Sequence, residues 1–169
     1  MQVYGFVPLR GKGEARFAKL AFDRALEAAG IKDMNLVSVS SILPQGAVLL
    51  ESFDFSAVPK GSIVFGVFDW LCSCKEGKKL LVGLGLSQFA DGWGVVIEHK
   101  AEDCERAEFE QELAEMLDDL VARRKAKEVR RLYILEEGTV RNQWLCVFAG
   151  VAFVEKSWCG GRDLNPGRH

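Results

Sequence analysis

Asn35-Leu-Val-Ser-Val-Ser40-Ser41-Ile42-Leu43-Pro44 reads as a short strand that runs into two adjacent serines and then meets a proline. Alternation over Asn35–Ser40 is the mark of a half-buried strand. Pro44 and Gly46 end it. Taken alone, the stretch is a strand end whose serines make side-chain turns. The segments on either side decide whether it is more than that.

Upstream, Glu14–Ala29 places Phe17, Leu20, Ala21, Ala25 and Ala28 at steps of three and four. That spacing predicts a helix with one buried stripe, and Gly30 is its natural stop. Gln2–Val7 alternates as a first strand, which Gly11-Lys-Gly13 is expected to break. Downstream, Ala47–Leu50, Ser62–Phe68, Lys79–Leu86 and Trp93–His99 predict strands separated by turn formers. Gly83 and Gly85 fall on one face of their strand, where close packing is expected. Cys104–Lys127 predicts the strongest helix, with Phe109, Leu113, Met116, Leu117, Leu120 and Val121 as its apolar stripe. Its acids lie early and Arg123-Arg-Lys-Ala-Lys127 late, which complements the helix dipole. Val129–Leu135 and Trp144–Val154 close the chain as strands, the second apolar enough to be central. This order of elements predicts an α/β (α+β) fold of layered sheets with helices outside. Residues 1–156 are expected to form one domain, and 157–169 an irregular C-terminal tail.

Composition narrows the chemistry. A chain of 169 residues that is 49% hydrophobic has the means for one substantial core. Its 22 basic and 24 acidic residues leave a net charge of -2, which argues against nucleic acid as a partner. No apolar run reaches the roughly 18 residues of a membrane span, and no basic lead precedes a long apolar run as in a secretory signal. A cytoplasmic protein is expected. The histidines are His99 and His169 alone, so a His-rich metal site is excluded. Five cysteines, an odd count, are expected to be reduced and structural, with a redox role for Cys72 and Cys74 as the alternative. Chemistry must therefore use carboxylates, hydroxyls, thiols, or something the chain makes from them.

Four motifs then converge: Ala21-Phe22-Asp23, Ala29-Gly30-Ile31, Asn35-Leu36-Val37 and Ser40-Ser41-Ile42-Leu43-Pro44. With a weaker match at Gly94-Val-Val-Ile97-Glu98, they resemble the pyruvoyl-dependent arginine decarboxylase family in order and spacing, over roughly Gly11 to Val154. The fold this resemblance implies is a four-layer α/β/β/α sandwich of two mainly antiparallel sheets. The activity it implies is conversion of arginine to agmatine and carbon dioxide, which feeds polyamine biosynthesis. The implied cofactor is a covalent pyruvoyl group derived from Ser41, with no metal and no pyridoxal phosphate. Ser41 would attack the Ser40 carbonyl in an autocatalytic cut of a zymogen. Strain at the strand-to-turn junction and a group that polarises the carbonyl would help. Asn35 would support that cleavage.

The resemblance further implies that Glu98, at the end of an apolar strand, gives a proton to the substrate, and that Asp23 pairs with the substrate's distal cation. It implies a homotrimer with shared sites, Ser41 and Asp23 of one chain meeting Glu98 of a neighbour. His99 falls on the opposite face from Glu98 and is expected to be structural. Lys19 departs from the family pattern, which has an aliphatic residue there, and puts the substrate in question. A pyruvoyl decarboxylase for another amino acid, or an uncleaved assembly or binding subunit, are the competing readings.

Overall fold

A computed structural model describes residues 2–160. Its elements are β1 (Val3–Ala15), α1 (Ala18–Ala28), β2 (Asn35–Ser38), β3 (Ile42–Leu43), β4 (Val48–Leu49), β5 (Ile63–Ser73), β6 (Lys79–Phe89), β7 (Gly94–Glu102), α2 (Arg106–Ala122), β8 (Glu128–Thr139) and β9 (Trp144–Glu155). One sheet runs β2-β5-β9-β1-β4 and the other β3-β7-β6-β8. Pairing is antiparallel except for β1 with β4 and β2 with β5.

Strand alternation sorts the side chains into layers. Phe6, Val67, Val147, Ala149 and Val151 of the first sheet meet Leu80, Val82, Leu84, Leu86 and Val96 of the second, forming the core between the sheets. On the first sheet's outer face, Val7, Phe68, Phe148 and Ala152 pack with Ala21, Ala25 and Leu26 of α1. On the second sheet's outer face, Leu81 and Val95 pack with Phe109, Leu113 and Leu117 of α2. The result is the α/β/β/α sandwich. The apolar β9 is the middle strand of its sheet, as its composition predicts.

Two expectations fail for one reason. Gly11 and Gly13 do not break the first strand; β1 continues through both to Ala15. A Cβ on Gly13 would stand 2.6 Å from the Ala21 carbonyl oxygen, and one on Gly11 would run into the Ala25 carbonyl. These glycines let α1 lie directly on the strand. The helix consequently starts at Ala18 rather than Glu14, and its contact face is Ala21, Ala25 and Leu26. Phe17 and Leu20, expected in the stripe, are exposed. The packing expected on Gly83 and Gly85 is present, from Phe109 and Leu117 of α2.

The cysteines also differ from expectation. Antiparallel register sets Cys72 of β5 directly opposite Cys146 of β9, Cα atoms 4.1 Å apart, and the two are joined as a disulfide. Cys74, which the alternative redox reading joins to Cys72, is free and exposed. At the chain end, Lys156–Cys159 forms a 3₁₀ turn whose Trp158 ring lies 6.4 Å from Phe53. The tail boundary at 157 therefore falls inside a turn, and 161–169 lie outside the described residues. Ser87, the buried polar residue, donates to Glu128. Asp118, aided by Glu128, holds the neighbouring Arg131 guanidinium above its ordinary range. No helix among the described residues is long and apolar enough to cross a membrane.

Candidate active site

The Ser40–Ser41 peptide lies where the chain leaves one sheet for the other. Val39 N–H still donates to the Gly66 carbonyl of β5, 2.9 Å, in the first sheet. The Ser41 carbonyl already accepts from Val96 N–H of β7, 2.9 Å, in the second. Between them, Ile42 N–H donates to the Ser40 carbonyl oxygen at 2.7 Å, closing a three-residue turn around Ser41. A donor is thus in place on the carbonyl that Ser41 would attack. The strain expected here does not take the form of left-handed backbone. Among described non-glycine residues, positive φ occurs at Asp103 and Lys125.

Register carries Glu98 to the same spot. Ile42 pairs with Val95 and Leu43 with Gly94. Continuing that antiparallel register sets Ser41 opposite Val96, with Glu98 its diagonal neighbour on the same face. Ser41 Oγ donates to Glu98 Oε2 at 3.0 Å, and both residues are half-buried. His99 points the other way, as strand parity predicts. Its ring stacks on Phe109 of α2 at 4.7 Å, and Nε2 lies 2.8 Å from Glu112 Oε2.

Asn35 and the apolar residues around Phe22 of α1 form a second group. Phe22, Leu26, Met34, Asn35, Leu36, Ser38, Phe68 and Trp70 line a pocket of about 250 Å³ between α1 and the outer face of the first sheet. Phe22 and Trp70 form one wall, ring centroids 5.1 Å apart. Asp23 follows Phe22 on α1 and is exposed, and it is not among the residues that line this pocket. It makes no ion pair among the described residues. Lys19 is exposed and is not part of the wall.

Asn35 Nδ2 donates to the Gly61 carbonyl at 2.7 Å. At about 3.3 Å per extended residue, the five steps from Asn35 to Ser40 cover roughly 17 Å. Asn35 therefore does not reach the Ser40–Ser41 peptide of its own chain.

Within one chain the groups sit differently from the expectation. Ser41 was expected to share a chain's half-site with Asp23 and to meet Glu98 of a neighbour. Instead Ser41 and Glu98 meet within one chain, while Asp23 stands beyond the five-stranded sheet. The register of β3 on β7 is the cause. Sequence reasoning missed Trp70 and Asp69, because it ended their strand at Phe68. In the structure β5 runs on to Ser73.

Comparison with known proteins fixes the class. A Picrophilus torridus protein named pyruvoyl-dependent arginine decarboxylase is 32% identical over 149 residues, covering 79% of this chain and 80% of the relative. An Archaeoglobus fulgidus protein named pyruvoyl-dependent arginine decarboxylase 2 is 31% identical over 144 residues, covering 83% of this chain and 90% of the relative. A Methanopyrus kandleri protein of the same name is 40% identical over 94 residues, 55% of this chain and 58% of the relative. The sandwich with its serine–glutamate pair is thus that of an amino-acid decarboxylase, a carbon–carbon lyase. The family model described as pyruvoyl-dependent arginine decarboxylase matches residues 6–158. This chain belongs to the pyruvoyl-dependent arginine decarboxylase family.

Proposed function

We propose that the chain decarboxylates L-arginine to agmatine and carbon dioxide, a step that feeds polyamine biosynthesis, after cutting itself between Ser40 and Ser41. The observation that carries this reading is the Ser41 hydroxyl held 3.0 Å from the Glu98 carboxylate at the crossing between the sheets. In the cut, Ser41 Oγ bonds to the Ser40 carbonyl carbon and the C–N bond breaks, so the amide becomes an ester. The Ile42 N–H on the Ser40 oxygen steadies the charge that gathers there. The hydroxyl proton passes to the freed nitrogen; elimination then removes the Cα proton of residue 41 and breaks its Cβ–Oγ bond, which leaves the Ser40 carboxylate and an unsaturated residue 41. Water replaces its nitrogen, and ammonia departs.

Ser40, Ser41 and Glu98 fit the covalent pyruvoyl group that the family implies. Position 41 carries the hydroxyl from which it would form, with an acid in hydrogen-bond range. Bound there, the group supplies an electron sink for carbon–carbon cleavage. Glu98 then delivers the proton that the α-carbon needs. Asp23 takes the guanidinium with two parallel hydrogen bonds, a match of planar fork to carboxylate. The apolar walls around Phe22, Leu26 and Trp70 receive the methylene stem.

The working unit is a homotrimer in which Asp23 and the pocket that holds Asn35 on one chain face Ser41 and Glu98 of the next. Two observations support it. The two residue groups stand apart within one chain, and exposed Ile42 beside the Ser40–Ser41 junction, with exposed Val37 on the strand that leads to it, offers apolar surface to a second copy.

Intact mass together with carbon dioxide release from a panel of amino acids tests the reading. Pieces of 40 and 129 residues, the larger blocked at its first residue, with release from arginine, are the expected result. A stable uncut chain would overturn the processing step. Release from a different amino acid would overturn the substrate. Asp23→Asn should still be cut but should raise the KM for arginine roughly 10- to 100-fold, the scale of a lost hydrogen bond to a charged partner. Steady-state kinetics on the cut variant measures it.

A further inference from the structure

Trp70 is a large side chain of the pocket wall that the fold leaves partly uncovered. Phe68, Trp70 and Cys72 alternate onto the outer face of β5, where Phe68 and Cys72 pack in the core beneath α1. Trp70 pairs in register with Phe148 of β9, yet it is 44% exposed. The edge of β5 explains this. β2 flanks that strand only from Ile63 to Gly66, so Trp70 has no strand on its other side. From α1, the Phe22 ring stands 5.1 Å away at an interplanar angle of 44°, a tilt that backs the indole and leaves part of its face open. An indole left in water forgoes the burial that its size would give.

The rest of the pocket has a matching chemistry. Leu26 and Phe68 are its buried members, and no charged side chain lines it. Asn35 and Ser38 are its polar members. Asn35 uses its Nδ2 on the Gly61 carbonyl, so its amide oxygen remains as an acceptor. The cations Lys19, Arg24 and Lys32, on α1 and the turn after it, stay out of the lining. Arg24 donates to the Glu14 carbonyl and Lys32 pairs with Glu27. Asp69 alternates onto the opposite face of β5 and pairs with Lys100. A cation that enters therefore meets aromatic rings and neutral acceptors. Indole is the best of the aromatic faces for a cation. A guanidinium is planar and weakly hydrated, so it can lie flat on the ring and keep its N–H edge for a carboxylate. An ammonium is a compact, strongly hydrated charge without that plane.

We propose that Trp70 is a specificity-determining residue, whose open indole face takes the plane of the substrate's guanidinium with Phe22 as backing. It deepens, and rests on, the reading of arginine as the substrate.

The test compares Trp70→Leu and Trp70→Phe in the full chain. Processing is followed by mass, turnover by kcat and KM for arginine, and binding by competitive inhibition with agmatine and with citrulline, the neutral isostere of arginine. Trp70→Leu should be cut normally and keep its kcat, with KM raised roughly tenfold, the scale of a desolvated cation–π contact. Agmatine inhibition should weaken in parallel, while citrulline inhibition stays within about twofold, because citrulline brings no cation to the ring. Trp70→Phe should fall between Trp70→Leu and the starting enzyme. An unchanged KM in Trp70→Leu overturns the proposal. So does equal weakening of agmatine and citrulline, which would make Trp70 an apolar wall only. If Trp70→Leu does not fold, the same agmatine-to-citrulline comparison in Trp70→Phe decides, and equal weakening or none overturns the proposal. Failure of the underlying reading is separate: it is a starting enzyme that releases carbon dioxide from another amino acid and not from arginine.

Discussion

Ser41→Ala is expected to give one uncut chain of about 18.8 kDa with no arginine decarboxylation. The argument is chemical. Alanine has no oxygen to carry the Ser40 acyl group, so the ester never forms and the electron sink is never made. Without a sink, the electrons of the carbon–carbon bond have nowhere to go. The fold should survive, because the hydroxyl makes one contact, to Glu98, and the backbone bonds of residue 41 are untouched. Intact mass and far-ultraviolet circular dichroism on the variant check both halves. A variant that is still cut, or that still releases carbon dioxide, would show that the chemistry lies elsewhere.

Glu98→Gln gives the second large effect, and its pattern differs. Glutamine keeps the size and can accept from the Ser41 hydroxyl, so the geometry at the crossing is retained. It has no acidic proton to deliver. The expected result is a cut chain whose kcat is lower by about 10²- to 10⁴-fold, the usual worth of a positioned acid. KM should change little, because Asp23 and the pocket beside Phe22 belong to other elements. Mass spectrometry and steady-state kinetics on one preparation separate the two steps. Loss of processing together with turnover would assign Glu98 a role in the cut instead.

Much of the architecture was legible in the residues. The apolar run Trp144–Val154 predicts a central strand, and β9 is one. Strand parity predicts that His99 turns away from Glu98, and it stacks on α2. What escaped was contact between elements. Gly11 and Gly13 look like punctuation until a helix is laid on them; their meaning lies in Ala21 and Ala25, which local sequence cannot bring to them. Phe17 and Leu20 keep helical spacing yet stay exposed, because the small residues make the closer contact.

The site divides in the same way. Ser41 and Glu98 were named through motifs, but their union depends on β3 pairing with β7, a register between segments about fifty residues apart. Two-residue strands such as β3 leave almost no pattern to read. Cys72 and Cys146 are a similar case, opposed by register across 74 positions.

The path of the first forty residues has a last consequence. β1 lies between β9 and β4, and it pairs with β9 from Val3 through Ala15. The proposed cut would therefore sever a chain whose first piece is inserted between two strands of the second piece, β9 and β4, with α1 clasped over it. While the peptide is whole, the two pieces are tethered at an effective concentration on the order of millimolar. Once it is broken, they would have to meet by diffusion, one of them two strands and a helix with no core of its own. The intact precursor is then the form that can find the fold, and the mature enzyme a structure that keeps it without being able to assemble it again unaided.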